Sequence, residues 1–149
     1  MRAVIQRVSG AALSVGDECV AKIGRGLVVY VGIGQEDRES DIIVACRKIV
    51  SMRIFSDDAG KMNLSVADIS GEILLVSNFT LCADISHGNR PSFASAMRPP
   101  AASEMFAYCI DVTRDIMREH GLSGNVQSGV FGADMVIDQA NDGPVTIVY

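Results

Sequence analysis

With 149 residues, 48% hydrophobic and 21% charged, the chain has the size and balance of one globular domain spanning 1–149 around one core, with no repeat and no low-complexity tract. Thirteen Lys plus Arg against eighteen Asp plus Glu give a net charge of -5. That argues against a protein that coats a long duplex by neutralising phosphates, and no DNA partner is expected, but it leaves open one that grips a single-stranded RNA end by stacking and hydrogen bonds.

Met1-Arg2-Ala3-Val4-Ile5-Gln6-Arg7 interrupts its apolar residues too soon for a signal-peptide core, and no run approaches the ~20 residues needed to span a membrane. A cytoplasmic chain without membrane contact is expected. Arg2 to Val8, Ala12 to Val15, Cys19 to Ile23 and the continuously apolar Leu27 to Ile33 read as a strand meander, with Gly10, Gly16-Asp17 and Gly24-Arg25-Gly26 as its turns. Asp41, Ile42, Ile43, Ala45, Cys46, Ile49, Val50 and Met52 form a helical stripe, with Glu36, Asp37 and Glu39 where the helix dipole favours anions.

Ile54-Phe55, the turn Ser56 to Gly60, and Met62 onward predict a hairpin, followed by a strand from Glu72 to Asn78 and a loop from Cys82 to Pro91. Pro99-Pro100 open the longest helix, whose stripe of Met105, Phe106, Cys109, Ile110, Thr113, Ile116 and Met117 faces the core and which Gly121 caps. Two or three strands complete the order. It predicts an α+β fold, curved antiparallel-rich sheets or a small barrel with two main helices packed outside.

Few residues are equipped for chemistry. Only His87 and His120 could serve a nucleophile triad, one in a loop and one at a helix C-terminus, which argues against a Ser-His-Asp hydrolase. Gly32-Ile33-Gly34 lacks the third glycine of a dinucleotide site, and Gly60-Lys61 lacks the upstream glycine of a phosphate loop. Cys19, Cys46, Cys82 and Cys109 show no Cys-x-x-Cys pair and read as buried thiols, and the carboxylates are scattered, so neither metal nor cofactor is expected.

Two segments remain. Ser77-Asn78-Phe79-Thr80-Leu81 closes an apolar strand, with Thr80 at the strand end as the best side-chain nucleophile, a substrate contact or a structural hydroxyl. Asn141-Asp142-Gly143-Pro144-Val145-Thr146 reads as a Gly-Pro turn anchored by a last strand, Val145 to Val148. Glycine admits close backbone approach, and X-Pro is the peptide bond whose cis form is cheap, about 0.5–1 kcal/mol above trans, although the motif by itself favours an ordinary trans turn.

These two segments, with Met1 to Val8, Gly88-Asn89-Arg90-Pro91-Ser92-Phe93 and Phe131-Gly132-Ala133-Asp134-Met135, run in one order along the whole chain. In that order the chain resembles the D-aminoacyl-tRNA deacylases. One position departs from the family pattern, Asn78 standing where Gln is usual.

The resemblance implies hydrolysis of the ester joining a D-amino acid, or glycine, to the terminal adenosine of a tRNA. It assigns Ser77, Asn78, Phe79 and Thr80 to the catalytic site and Gly143 and Pro144 to a cis main-chain filter that enters the partner subunit's site and rejects L-amino acids. The partners it implies are therefore a homodimer with shared active sites and the tRNA acceptor end. Backbone N–H groups around Phe79 and Thr80 would hold the oxyanion, and the 2′-hydroxyl of the RNA would assist. Phe131, Gly132, Ala133 and Met135 would form an apolar slot for adenine, Phe79 and Phe93 could also stack on a base, and core packing is the stronger expectation for Phe93. Arg2, Arg7, Arg90 and Arg98 are candidates for a basic rim, with Arg7 and Arg90 placed on the RNA. The alternatives are a catalytically impaired dimer that only binds aminoacyl-tRNA ends, and an esterase or amidase using Thr80 on free D-amino acid derivatives.

Overall fold

The computed structural model describes residues 1–149, the side chain of Ser123 excepted. Its sheet is organised by one long strand, β1 (Arg2–Val15), which pairs antiparallel with β3 (Gly26–Gly32) along its first half and with β2 (Glu18–Ile23) along its second. The opposite edge of β1 is taken throughout by β8 (Val136–Val148). Gly10 is therefore no turn. It lies inside β1, beside a register shift against β8, because a glycine between two runs that pair with the same neighbour is absorbed as a bulge.

Two parallel pairings extend the sheet, β3 with β6 (Glu72–Ser77) and β6 with β7 (Val126–Ser128). They explain the unbroken apolar runs Leu27 to Val31 and Ile73 to Val76, because parallel strands are buried on both faces. Gly26 permits the pairing. A Cβ there would lie 1.8 Å from the Glu72 carbonyl oxygen, so only glycine lets the two strands start side by side. Lys22 N–H donates to Gln127 Oε1 at 3.3 Å, drawing β2 toward β7 so that the mixed sheet nearly closes into a barrel.

Two apolar clusters form in place of the one core expected. Ile5, Leu27, Val29, Ile73 and Leu75 pack against α1 (Glu39–Ser51) and α2 (Ala101–Glu119), while Val8, Leu13, Val28, Leu74 and Val76 fill the other face. Alternate residues of one strand serve the two clusters, the period-2 rule acting on both sides of a buried sheet. β4 (Phe55–Ser56) and β5 (Met62–Leu64) make the expected hairpin, and Gly121, at φ +75°, ends α2 as its cap.

Of the four thiols, Cys46, Cys82 and Cys109 are buried but Cys19 is exposed, since it opens β2 beside the Gly16-Asp17 turn. Cys46 and Cys109 meet where α1 crosses α2, with their sulfurs 3.6 Å apart. Hydrogen bonding to Cys46 and burial push the Cys109 thiol up, leaving it protonated.

The Gly143-Pro144 segment lies inside β8 and is no turn between strands. Val8 pairs with Asn141 and Gln6 with Thr146, so the residues from Asp142 to Val145 stand opposite Arg7 alone and the strand loops outward as a wide bulge. Its Gly143-Pro144 peptide bond is cis, as is Pro99-Pro100. Arg7 holds the bulge from below. It is buried, donating from Nη1 to the Ile54 carbonyl at 2.6 Å and from Nε to the Asp142 carbonyl at 3.2 Å, with the Asp142 carboxylate 3.1 Å away. Gln139 and Gln6 brace the neighbouring strand, with Gln139 Nε2 donating to Gln6 Oε1 at 2.6 Å and Gln6 Nε2 to Thr146 Oγ1 at 3.3 Å.

Candidate active site

β3 and β6 run parallel and end together, Val31 beside Ser77, and a cavity of about 510 Å³ opens just beyond them. The carboxyl ends of parallel strands are where a sheet leaves room for a ligand. Val31 and Ile33 form the floor, Ala102 and Phe106 of α2 one side, and Phe131 to Met135 another. Phe93, Ala96, Met97, Arg98 and Pro99 complete the wall. Volume and lining suit a flat apolar ring with a few polar contacts.

Ser77, Asn78 and Phe79 line the cavity, as do Phe131, Gly132, Ala133 and Met135. Among the described residues the Ser77 hydroxyl has no protein partner, so it is free for a ligand. Phe79 is 57% exposed and Phe93 38%, and their rings meet edge to face with centroids 5.0 Å apart. Phe93 therefore lines the cavity and is not packed in the core expected for it, because the segment carrying it is tied to the β3 exit. Gln35 N–H donates to the Ser95 carbonyl at 2.9 Å and Met97 N–H to the Ile33 carbonyl at 2.9 Å.

Thr80 does not end the strand. β6 stops at Ser77, and Phe79–Cys82 form one 3-10 turn capped by Asn78. Asn78 Oδ1 accepts from Thr80 N–H at 3.2 Å and from the Thr80 hydroxyl, the short polar side chain folding onto its own turn as Asn does at helix starts. The Thr80 amide expected to hold an oxyanion is thereby occupied, and Thr80 lies outside the cavity wall. Asn78 N–H donates to the Val31 carbonyl at 2.7 Å and Leu81 N–H to the Asn78 carbonyl, which leaves Phe79 N–H as the free amide of the turn.

The Gly88 to Phe93 loop is closed at its base by reciprocal backbone bonds between Asp84 and Ser92. Two hydrogen bonds from Ser86 hold the Asp84 carboxyl below its ordinary range. Arg90 stands exposed on this loop and does not reach the cavity, and Arg7 is buried under the β8 bulge instead of lying on a basic rim. Gly143 and Pro144 are exposed and do not line the cavity of their own chain. Among the described residues no three His, Cys, Asp or Glu side chains come together to hold a metal ion, and no helix is long and apolar enough to cross a membrane.

A sequence profile of the D-Tyr-tRNA(Tyr) deacylases matches residues 4–149. The chain belongs to that family. As a family member it is a hydrolase acting on aminoacyl-tRNA ester bonds. Among solved structures, this deacylase-family chain is similar to a c-Myc DNA unwinding element binding protein, at 39% identity and a TM-score of 0.93, over 100% of this chain and 97% of that one. It also shares its fold with a probable eukaryotic D-amino acid tRNA deacylase, at 17% identity and a TM-score of 0.85, over 99% and 97% of the two chains.

Ala96, Met97, Pro99 and Ala102 line the cavity but were not among the residues expected there. The Pro99-Pro100 start of α2 was a signal for them. A helix that begins there must bring its first turn to whatever precedes it.

Proposed function

We propose that the chain releases D-amino acids, and glycine, from the terminal adenosine of tRNA and spares L-aminoacyl-tRNA, working as a homodimer in the cytoplasm. The observation that carries this reading is the bulge at Asp142 to Val145. A Gly-Pro step lifted out of an edge strand, exposed, and braced from beneath by a buried arginine is built to be presented to something outside its own chain.

In this reading the partner's Gly143-Pro144 carbonyls meet the amino group of the bound aminoacyl moiety, and their main chain occupies the space an L side chain would need. Such a filter touches only groups common to all amino acids, so it accepts many D side chains and glycine. The adenine enters the slot formed by Phe131, Gly132, Ala133 and Met135, and Phe79 and Phe93 flank its mouth. Phe79 N–H stabilises the developing oxyanion, a contribution of about 2.7–4 kcal/mol for a well-aimed donor.

Thr80 is not the nucleophile in this scheme. Its hydroxyl hydrogen-bonds an amide oxygen, which is no base, and the neighbouring 2′-hydroxyl of the RNA supplies the assistance, worth up to ~7–11 kcal/mol when held in place. Asn78 then acts on the turn and Ser77 on the substrate. A net charge of -5 gives little with which to neutralise a duplex, so the reading stays with an RNA end.

The direct test compares ester loss from D-tyrosyl-tRNA and L-tyrosyl-tRNA. Fast loss of the D ester alone supports the reading; tRNA bound with neither ester lost would favour the impaired end-binding dimer. The shared site is tested by mixing Ser77→Ala chains with Gly143→Ala chains, each inactive alone. Heterodimers carry one intact site, so an equal mixture should regain about a quarter of full activity. No regain would sink the shared site.

A further inference from the structure

Arg98 is the one basic side chain on the cavity wall, and Asp134 the one acidic. Among the described residues neither is engaged by another side chain, whereas Arg7 is spent on Ile54 and Asp142, and Arg114 and Arg118 on Asp111 and Asp115. The backbone around Arg98 is fixed from both sides. Met97 N–H is bonded to the Ile33 carbonyl at 2.9 Å, and the Arg98 carbonyl accepts from Ala102 N–H at 3.0 Å in the first turn of α2. A free guanidinium on an anchored backbone at the edge of an apolar cavity is placed to meet an anion there.

We infer that Arg98 binds the 5′-phosphate of the nucleotide whose base fills the cavity, an inference that rests on the deacylase reading. The terminal adenosine brings one charged group to this wall, the phosphodiester on its 5′ side. Asp134 repels that phosphate and Arg98 attracts it, so the pair orients the nucleotide with its phosphate over Pro99 and its sugar and base toward Phe131 to Met135. The RNA strand thus leaves the cavity across the start of α2.

Three substrates separate this role from others: D-tyrosyl-tRNA, the D-tyrosyl ester of adenosine 5′-monophosphate, and the D-tyrosyl ester of adenosine, which lacks the phosphate. Arg98→Gln should raise KM about tenfold on the first two with kcat within about twofold, and leave the adenosine ester within about twofold. Arg98→Lys should recover part of the loss. For the tRNA, the slope of log affinity against log salt should fall by about 0.7 in magnitude. Equal loss on the adenosine ester, or no loss on the phosphorylated one, would overturn the inference.

Should the unaltered chain cleave none of these esters, the deacylase reading fails, and binding still decides the phosphate contact. Calorimetry should then show adenosine 5′-monophosphate bound more tightly than adenosine, with the difference abolished in Arg98→Gln. Equal affinity in the unaltered chain would reject Arg98.

Discussion

Replacing Arg7 by Met keeps the bulk of the stem and removes the guanidinium that braces the β8 bulge. The largest loss is the short bond to the Ile54 carbonyl, 2.6 Å long and buried, of a charged kind that contributes about 1.5–3 kcal/mol. The contact with Asp142 adds less, because its carboxylate is 43% exposed and screened, which puts the ion pair at about 0–1 kcal/mol. Urea unfolding of Arg7→Met should therefore show a loss of about 1.5–4 kcal/mol, and Asp142→Asn a loss below about 1 kcal/mol. In the folded variant the bulge is no longer held at a fixed height. A misplacement of about 1 Å can cost on the order of a hundredfold, so the preference for D-tyrosyl-tRNA over L-tyrosyl-tRNA should drop by about tenfold or more. An Arg7→Met chain as stable as the parent, or one with undiminished stereoselectivity, would refute the assignment of Arg7 as the brace. Equal losses for Arg7→Met and Asp142→Asn would show that the ion pair, and not the carbonyl anchorage, dominates.

Thr80→Ala should retain turnover within about tenfold, measured on D-tyrosyl-tRNA, since it removes one hydrogen bond and no nucleophile; complete loss with binding intact would restore Thr80 to the chemistry. Asn78→Ala removes the cap of the 3-10 turn and should destabilise the fold by about 0.5–2 kcal/mol in chemical denaturation. Phe93→Ala gives up an edge-to-face pair of about 0.5–1.5 kcal/mol and should raise KM some two- to tenfold with little change in kcat. Asp68 is held below its ordinary range by the Ser65 backbone and hydroxyl bonds, so its stabilising contribution is present above the unfolded value and fades as pH falls through the lower folded one. Asp68→Asn should flatten the acid limb of a stability-pH curve below about pH 4.

How far the sequence foretold this depended on whether a signal was local. The stripes of both helices and the apolar runs of β3 and β6 were readable because burial imposes its period residue by residue. Gly10 misled because a glycine between apolar runs looks the same whether the chain turns or one long strand passes through a bulge; only the pairing with β8 decides. Thr80 misled for a related reason. Asn78 ends the strand by folding onto the next turn, and that competition between side chain and ladder leaves no trace in periodicity. Arg7 and Arg98 are both lone cations in sequence. What separates them is the Ile54 carbonyl, 47 positions away, which claims the first and leaves the second at the cavity.

The pairing of β1 with β8 joins residues as distant as Val4 and Val148, a separation of 144 positions. During synthesis, then, β1 waits with one edge bare until β8 has followed it, and contacts of such range form slowly. A nascent chain cut short before residue 136 would hold the pieces of the cavity but neither the bulge nor the strand that covers Arg7. If the bulge selects between hands as proposed, that selection forms only when β8 joins β1, and a fragment without β8 also exposes the edge by which it would aggregate and be cleared.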